Sequence, residues 1–310
     1  MLYIYTNPVA GDGKTVKAMS YLSAMFYKNQ IEFKERELKR PWDAYRLTKF
    51  TCQAYPWCEG IIVIGGDGTI QEMVAGMIDA LEAYSLERCS MPLGILATGS
   101  GNDFIRCIET KKLPDSAILI ADDFFEKLQR RETRAVDVIT ANNMAFLNIA
   151  NIGLDARIVE NAVGLKAKYG KRAYLAAVHQ SIAEHENIDL KIEVDGKNLD
   201  GSYTLAAICN GQYYGGGLRI APNAKIDDGK ITLCLVEAMS RRKLTLLFPS
   251  LRIGMHKYLK AVKFIECEEV TITIPPQQNP PSKLCMDGNL YPIEEKTHFK
   301  IHPKILDVFV

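Results

Sequence analysis

The chain has 310 residues, of which 47% are hydrophobic and 24% are charged. This composition excludes a disordered or collagen-like chain, and the length is sufficient for two domains of ordinary size. The formal net charge of +1 gives no general attraction to nucleic acid, so we expect no nucleic-acid partner and basic surface only in local patches.

The cysteines and the apolar segments predict the cellular compartment of the protein. Eight cysteines are scattered along the chain without a CxxC pair, and several lie in apolar segments such as ITLCLVE at residues 231–237. Such usage is typical of a reducing compartment. The first residues lack the pattern of a secretory signal, and no segment reaches the roughly 18 apolar residues of a spanning helix. We therefore expect a cytoplasmic protein that meets a membrane only at its surface.

The first 133 residues alternate strand and helix patterns. Strands are predicted over residues 2–6, 31–38, 60–65 and 92–98, and helices over residues 15–29, 42–55, 70–84 and 116–131. This alternation favours a parallel sheet covered by helices on both faces, with a ligand at the carboxyl ends of the strands. We predict an α/β nucleotide-binding domain over residues 1–133.

From residue 134 the pattern becomes rich in strands. Strand patterns cover residues 134–150, 189–210, 229–238, 261–274 and 282–293, with helical patterns near residues 158–183 and 241–258. Between two of these strands, residues 275–283 (PPQQNPPSK) predict a proline-rich loop. We predict a second, β-rich domain over residues 134–296 and a C-terminal strand over residues 297–310 that returns toward the first domain.

Three loops that follow predicted strands are candidates for binding phosphate. They are NPVAGDGKT at residues 7–15, GGDGTIQ at 65–71 and GSGNDF at 99–104. The backbone N–H groups of a glycine-rich turn, reinforced by the positive end of the next helix, can bind a nucleotide phosphate. The alternative is that each loop is a simple strand-to-helix turn, but three of them in one α/β domain favour a ligand.

Two common phosphate motifs do not fit these loops. A P-loop would need glycine at Pro8, which has no N–H to donate. A dinucleotide fingerprint would need its third glycine at Gln71 or at Phe104. The loops therefore favour some other nucleotide-binding arrangement.

The motifs together resemble the diacylglycerol kinase catalytic domain family of bacterial and eukaryotic lipid kinases. The GGDGT motif is shared with a wider superfamily that includes NAD kinases and phosphofructokinases, whereas GSGNDF and the later motifs narrow the resemblance to lipid kinases. The resemblance runs from one end of the chain to the other. It is carried by NPVAG (7–11), GGDGTIQEMVAG (65–76), LGILATGSGNDFIR (93–106), FLNIANIGLDA (146–156), IAPNAKIDDGKI (220–231) and MDGN (286–289).

This resemblance implies an α/β domain of the NAD-kinase and phosphofructokinase type and a C-terminal β-sandwich. The nucleotide would lie in the cleft between them, and the domain over residues 134–296 would bind the lipid substrate. It implies Mg²⁺-dependent transfer of the γ-phosphate of ATP to the hydroxyl of diacylglycerol or a related lipid, with Asp67 near the metal and the phosphates. By matching position, ATP would be held by Asn7, Pro8, Val9, Ala10, Gly11, Gly65, Gly66, Asp67, Gly68, Thr69, Ile70, Gln71 and Ser100.

The resemblance also implies a structural magnesium site and acids near the cleft. The metal ligands would be the carbonyls of Lys225 and Lys230 and the carboxylate of Asp228, oxygen donors that suit a hard cation. Asp137 and Asp155 stand where the family has acids close to the cleft. Without the resemblance, each is an ordinary polar residue on a strand or at its end.

Two residues depart from the family pattern. Glu37 stands near the place of a threonine that contacts ATP in some bacterial members. The family's DGE motif is DGN here, so Asn289 replaces the glutamate assigned as proton acceptor, while Asp287 is retained. We take Asp287 and Asn289 as the catalytic candidates, with Asp287 favoured as the base. Asp-Gly is also a common hairpin turn, so a purely structural Asp287 is the alternative.

Residues 240–263, SRRKLTLLFPSLRIGMHKYLKAVK, combine seven basic residues with leucine, phenylalanine and tyrosine. A basic and apolar surface segment suits an anionic membrane. The alternative is a solvated helix face that packs on the second domain.

Three functions are compatible with the sequence. The favoured function is an ATP- and Mg²⁺-dependent lipid kinase recruited to the membrane surface. Asn289 motivates the second, a kinase-derived protein that binds nucleotide or lipid without efficient turnover. The GGDGT motif allows the third, an NAD kinase or a related enzyme with a soluble substrate. The oligomeric state stays open, with a homodimer among the alternatives.

Overall fold

The computed structural model describes residues 1–83, 89, 91–109, 113–169, 173–275 and 283–310, without the side chains of residues 166–168 and 247. Most of the predicted proline-rich loop, residues 276–282, lies outside this part of the chain. The described helices are α1 (Lys14–Lys28), α2 (Asp43–Ala54), α3 (Asp67–Ala83), α4 (Asp103–Ile108), α5 (Ala117–Arg130), α6 (Leu154–Tyr169), α7 (Ala173–Ala183) and α8 (Arg241–Leu251), with 3₁₀ helices at Ala10–Gly13 and Met255–Tyr258.

The described strands number eighteen and continue through the second half of the chain. They are β1 (Leu2–Thr6), β2 (Phe33–Glu37), β3 (Gly60–Gly65), β4 (Leu93–Ala97), β5 (Thr133–Ala141), β6 (Met144–Phe146), β7 (Ile149–Gly153), β8 (Ile188–Val194), β9 (Lys197–Asn198), β10 (Gly201–Cys209), β11 (Tyr213–Tyr214), β12 (Leu218–Arg219), β13 (Ile231–Glu237), β14 (Val262–Cys267), β15 (Glu269–Thr273), β16 (Lys283–Met286), β17 (Asn289–Pro292) and β18 (Lys296–Phe309).

The N-terminal part is a parallel sheet in the order β2-β1-β3-β4. Every residue of β1, β3 and β4 is buried, as expected for strands covered on both faces. In β3, Ile62 and Ile64 pack against α1 and α5, whereas Ile61 and Val63 pack against α2 and α3. The predicted α/β class is therefore confirmed.

The C-terminal part is rich in antiparallel strands. β10 is central to it and pairs with β7, β8 and β13. One face of these strands encloses an apolar core with β15, β16 and β18, while α6, α7 and α8 cover apolar residues on the other side. The predicted β-rich second part is confirmed.

Strand β18 joins the two parts into one sheet. It pairs antiparallel with β5 and β15, and near its end Val308 lies beside Leu93 of β4 in parallel. The boundaries predicted at residues 133/134 and 296/297 stay a prediction. No helix in the described ranges has the length and apolar character needed to cross a bilayer.

Two local features differ from the sequence-based prediction. The short helix α4 was not predicted, because its sequence, DFIRCI, is only 6 residues long. The single strand predicted over residues 261–274 is two strands separated at Glu268, whose carbonyl accepts a hydrogen bond from Ile301 N–H at 3.0 Å. A short helix and a strand break of this kind depend on contacts with distant residues, which a periodicity pattern does not contain.

Candidate functional site

The three glycine-bearing loops meet at the carboxyl edge of the parallel sheet. Asn7 N–H donates to the Ile64 carbonyl at 2.9 Å, and Thr98 N–H donates to the Gly65 carbonyl at 2.9 Å. The Asn7 side chain donates to the Thr69 hydroxyl at 2.8 Å. The loops after β1, β3 and β4 are thus directly bonded to one another, as the fold class predicts for a ligand site.

Glycine is required where these loops pass one another. A Cβ atom at Gly11, which has φ 67°, would lie 2.0 Å from the Thr98 carbonyl oxygen. A Cβ atom at Gly99 would lie 2.6 Å from the Gly66 Cα atom. The close backbone approach leaves a surface composed of main-chain groups. The Gly66 carbonyl accepts hydrogen bonds from the N–H groups of Thr69 and Ile70, which leaves the N–H groups of Asp67 and Gly68 without an acceptor carbonyl in the helix. The positive end of the helix dipole at this turn suits an anion.

The other residues predicted to contact nucleotide are distributed unevenly around this surface. Val9 and Ser100 are exposed, whereas Ile70 lies in the apolar core between α3 and the sheet. Glu37 is exposed at the end of β2, beside Thr6 of β1. Direct contact of each of these residues with ATP stays a prediction.

Asp67 connects two of the loops. Its carboxylate accepts backbone hydrogen bonds from Asn102 at 2.7 Å, from Asp103 at 2.9 Å and from Phe104 at 3.4 Å. Burial raises the pKa of Asp67, and these N–H groups oppose that shift because they stabilise the anion. Asp67 therefore holds the start of α4 against the GGDGT loop.

Asp103 extends the connection into the second half of the chain. Its carboxylate accepts hydrogen bonds from the N–H groups of Gly216 at 2.9 Å and Gly217 at 2.7 Å. Burial and the nearby charge of Asp67 raise the pKa of Asp103 to about 6. This role of Asp103 was not predicted from the sequence. The run of three glycines at residues 215–217 was the available signal, because such a run marks backbone that another group approaches closely.

Asp287 occupies a hairpin turn and also bonds to the neighbouring strand. Asp287 and Gly288 have φ angles of 47° and 89°, as in the tight turns that connect strands such as β16 and β17. Its carboxylate accepts hydrogen bonds from the N–H groups of Leu147 at 2.8 Å, Ile149 at 2.8 Å and, shared between both oxygens, Asn148. Burial raises the pKa of Asp287 to about 7 against the effect of these donors.

Asn289 brings the same hairpin against the GGDGT loop. Its side-chain amide donates to the Gly68 carbonyl at 2.9 Å and to Gln71 Oε1 at 2.9 Å. Gln71 is fully buried, accepts a further hydrogen bond from the Tyr291 hydroxyl at 2.6 Å and donates to the Ala145 carbonyl at 2.8 Å. The structure therefore brings the glycine loop and the DGN hairpin together, although 218 residues separate Gln71 from Asn289.

The loop proposed as a magnesium site is shaped by two side chains from outside it. Asp137 accepts hydrogen bonds from Gly229 N–H at 2.7 Å and Lys304 N–H at 2.8 Å, and Arg134 pairs with Asp227 at 2.7 Å. Asp137 thus supports this loop.

Asp228 itself is exposed, and one of its oxygens accepts the Lys230 N–H at 3.1 Å. Within the described ranges, no group of three or more His, Cys, Asp and Glu side chains could hold a metal. The predicted set of Lys225, Asp228 and Lys230 uses one carboxylate and two carbonyls instead. Oxygen donors of these types suit a hard cation, and this site stays a prediction.

Asp155 lies at a cavity in the C-terminal part. The cavity has a volume of about 20 Å³ and is lined mainly by apolar side chains between α6, α7, α8 and the sheet. Asp155 Oδ1 accepts the Tyr214 hydroxyl at 3.0 Å, while Asp155 Oδ2 and His256 Nδ1 are buried without a hydrogen-bond partner among the described residues. Burial raises the pKa of Asp155 to about 7. Tyr214 belongs to the same hairpin as Gly216 and Gly217, which donate hydrogen bonds to Asp103. This hairpin therefore links Asp155 at the cavity to Asp103 beside the glycine loops.

Comparison with known proteins agrees with this arrangement. Residues 1–141 match the family described as "Diacylglycerol kinase catalytic domain", and residues 148–310 match "YegS C-terminal NAD kinase beta sandwich-like domain". The chain belongs to the diacylglycerol kinase catalytic domain family. The two matches together span nearly the whole chain, and the family predicted from the motifs is confirmed.

Individual relatives span most of the chain. It is 27% identical over 273 residues to a diacylglycerol kinase of Mycobacterium tuberculosis, covering 87% of this chain and 84% of the relative. It is 26% identical over 276 residues to a probable lipid kinase, YegS-like, of Shewanella frigidimarina, covering 87% and 82%. A crystal structure of a diacylglycerol kinase from Bacillus anthracis superposes with a TM-score of 0.73 at 22% identity, covering 99% of this chain and 96% of the other, and shows that the fold is shared.

Proposed function

We propose that the chain is a lipid kinase that uses ATP and Mg²⁺ to phosphorylate the hydroxyl of diacylglycerol or a related lipid. The contact between Asn289 and Gly68 carries this proposal, because it places the carboxylate-bearing hairpin next to the glycine loop. A kinase needs a phosphate cradle and a proton acceptor at one place. Membership of a lipid kinase family supports the same reaction class.

The nucleotide phosphates would lie on the main-chain surface of the three loops. The N-terminal end of α3 would contribute the positive end of a helix dipole. Asp67 would fix the relative position of two loops through its bonds to Asn102 and Asp103. Mg²⁺ bound with ATP would neutralise charge on the phosphates, and a second, structural ion would be held by Lys225, Asp228 and Lys230.

In the transfer step, the lipid hydroxyl oxygen forms a bond to the γ-phosphorus as the bond to the β–γ bridging oxygen breaks and ADP leaves. The hydroxyl proton passes to a carboxylate, for which we propose Asp287. A pKa of about 7 suits proton uptake near neutral pH. The hydrogen bonds from residues 147–149 weaken Asp287 as a base, so we expect its contribution near the lower end of the usual range, about 10².

The lipid would approach from the side of the cavity that contains Asp155. This buried acid has one oxygen without a partner among the described groups, so it can accept a hydrogen bond from a polar lipid group. The cavity of about 20 Å³ holds no more than a water-sized group, so the packing of α8 against the sheet has to open to admit an acyl chain.

One observation favours the second function, a binding protein without efficient turnover. The Asn289 amide donates to Gly68 and Gln71, and an amide cannot accept a proton at neutral pH. If the glutamate missing at residue 289 is the only base that this fold can use, turnover would be slow.

A panel of acceptors tests the proposal. Purified full-length protein with γ-labelled ATP and Mg²⁺ is offered vesicles that contain diacylglycerol, vesicles without it, and NAD. We expect label only in the lipid fraction of the diacylglycerol vesicles. Label in NADP would establish the soluble-substrate function. ATP binding without label in any fraction would establish the binding protein.

A further inference from the structure

The segment formed by α8 and the following 3₁₀ helix has two different faces. Its inner face is apolar: Leu244, Phe248 and Leu251 line the cavity together with His256. The sequence explains this face by helical spacing, because these residues recur at intervals of three and four. Residues of this segment thus form one wall of the cavity that contains Asp155.

The outer surface of this segment exposes large apolar side chains. Leu246 is 82% exposed, Ile253 is 71% exposed and Tyr258 is 70% exposed, and Met255 and Leu259 are exposed as well. Single exposed apolar residues are common, but five in one short segment form a patch of the kind that marks an interaction site. The packing of the described residues gives no other reason for this patch.

The same surface is strongly basic. Residues 238–265 contain seven lysines and arginines and no aspartate or glutamate, although the net charge of the whole chain is only +1. Two of the seven have polar partners: Lys263 pairs with Glu237 at 2.7 Å, and Arg241 donates to the His185 carbonyl. No ion pair is formed with the described residues by Arg242, Lys243, Arg252, Lys257 or Lys260.

We propose that this outer surface of residues 241–260, the α8 face, docks the protein on an anionic lipid bilayer. Five unpaired cations complement anionic headgroups, and the exposed apolar side chains can enter the boundary between headgroups and acyl chains. A second copy of the chain fits less well, because a two-fold interface would set this basic surface against itself. The biological meaning of the proposal depends on the proposed kinase function, but membrane docking itself does not.

Docking by the α8 face would bring the bilayer to the cavity. The inner face of the same segment lines the cavity, so a lipid leaving the bilayer beside α8 meets Leu244 and Phe248 before it meets Asp155. The substrate then has no need to cross bulk water. This arrangement predicts that the α8 face affects transfer to lipids in vesicles more than transfer to lipids dispersed in detergent micelles.

Vesicle flotation with the full-length protein tests the proposal without any need for turnover. The vesicles are phosphatidylcholine alone or an equal mixture of phosphatidylcholine and phosphatidylglycerol. At about 1 kcal/mol per basic residue, Arg242→Glu with Lys243→Glu should lower partitioning into the anionic vesicles at least about thirtyfold. Leu246→Gln with Ile253→Gln should also lower it, because the apolar contact is lost. The matched control is Lys191→Glu with Lys197→Glu, two exposed lysines elsewhere in the same part of the chain, which should leave partitioning unchanged.

The expected pattern is binding to anionic vesicles, little binding to neutral vesicles, weakening by salt, and selective loss in the α8-face variants. Circular dichroism and thermal unfolding check that each variant is folded. Equal partitioning of the Arg242/Lys243 variant and the control variant would overturn the proposal. The proposal would also be overturned if wild type elutes as a dimer in gel filtration while the Arg242/Lys243 variant elutes as a monomer and binds vesicles as well as wild type does. Docking without kinase activity would refute the proposed function and leave this inference standing.

Discussion

Asn289→Glu, which restores the family's DGE motif, should weaken the structure and give no large gain in rate. In the wild type the Asn289 amide donates to the Gly68 carbonyl and to Gln71 Oε1, both at 2.9 Å. A glutamate carboxylate has no proton to donate to these two acceptors at neutral pH. The carboxylate would instead face the Gly68 carbonyl oxygen and Gln71 Oε1, at the contact between the DGN hairpin and the GGDGT loop.

The size of the effect follows from the two lost hydrogen bonds. At about 1 kcal/mol each, their loss lowers the free energy of unfolding by about 2 kcal/mol. For a unit of 150–250 residues this corresponds to a fall of about 4–8 °C in Tm. If Asp287 is the base, the rate of transfer should change by less than about tenfold, since residue 289 affects only orientation and local charge. If the missing glutamate is the only effective base, its return should instead raise the rate about 10²–10⁴-fold.

Wild type and Asn289→Glu are compared by thermal unfolding and by label transfer to the same diacylglycerol vesicles. Asn289→Ala is the control, because it removes the same two hydrogen bonds without adding a carboxylate, and we expect a similar fall in Tm. An Asn289→Glu protein that unfolds no earlier than wild type and transfers phosphate more than about tenfold faster would refute this reasoning, including Asp287 as base.

Three further predictions concern the acids of the site. Asp287→Asn should lower transfer at least about 10²-fold, because an amide cannot accept the hydroxyl proton. It should also lower Tm, because the amide replaces one oxygen that accepts hydrogen bonds from residues 147–149. Transfer at the wild-type rate would exclude Asp287 as the base. Burial raises the pKa of Asp155 to about 7, so ionisation of this group lowers the stability of the folded state as pH rises from about 4 to 7. Asp155→Asn should therefore unfold at a higher temperature than wild type above pH 7 and at a similar temperature near pH 4. The same difference in Tm at both pH values would contradict this prediction. Mg²⁺ should raise the Tm of wild type more than that of Asp228→Asn, which keeps an acceptor for the Lys230 N–H but loses the charge; equal shifts measured by calorimetry would mean that the loop is simply a turn.

The sequence was sufficient to predict the elements whose pattern is local. LYIYT and GIIVIG are continuous apolar segments, and they form the fully buried strands β1 and β3. The glycine loops were recognisable because glycine has no side chain and marks backbone that must turn or approach closely. Asp287 was predicted both as a turn residue and as a functional acid, and the turn is observed.

The sequence was not sufficient where a contact joins distant residues. Asp103 bonds to Gly216 and Gly217, which lie 113 and 114 residues further along the chain. No periodicity links such positions, and the partner groups are backbone N–H groups that every residue type except proline possesses. The hydrogen bonds that the Asn289 amide donates to the Gly68 carbonyl and to Gln71 Oε1 were not predictable either, because 221 and 218 residues separate the partners.

Label transfer from γ-labelled ATP to diacylglycerol in vesicles, by wild type and by Asp67→Asn, shows whether the protein is a lipid kinase that depends on Asp67. Asp67 holds the GGDGT loop to the start of α4, and we place it beside the phosphates and the metal. Asparagine has nearly the same size but lacks the charge and one acceptor oxygen. We predict label in a phosphorylated lipid with wild type and, at saturating ATP and Mg²⁺, less than about a tenth of that rate with Asp67→Asn. Equal transfer by both proteins would exclude this role of Asp67, and no transfer by wild type would exclude a diacylglycerol kinase.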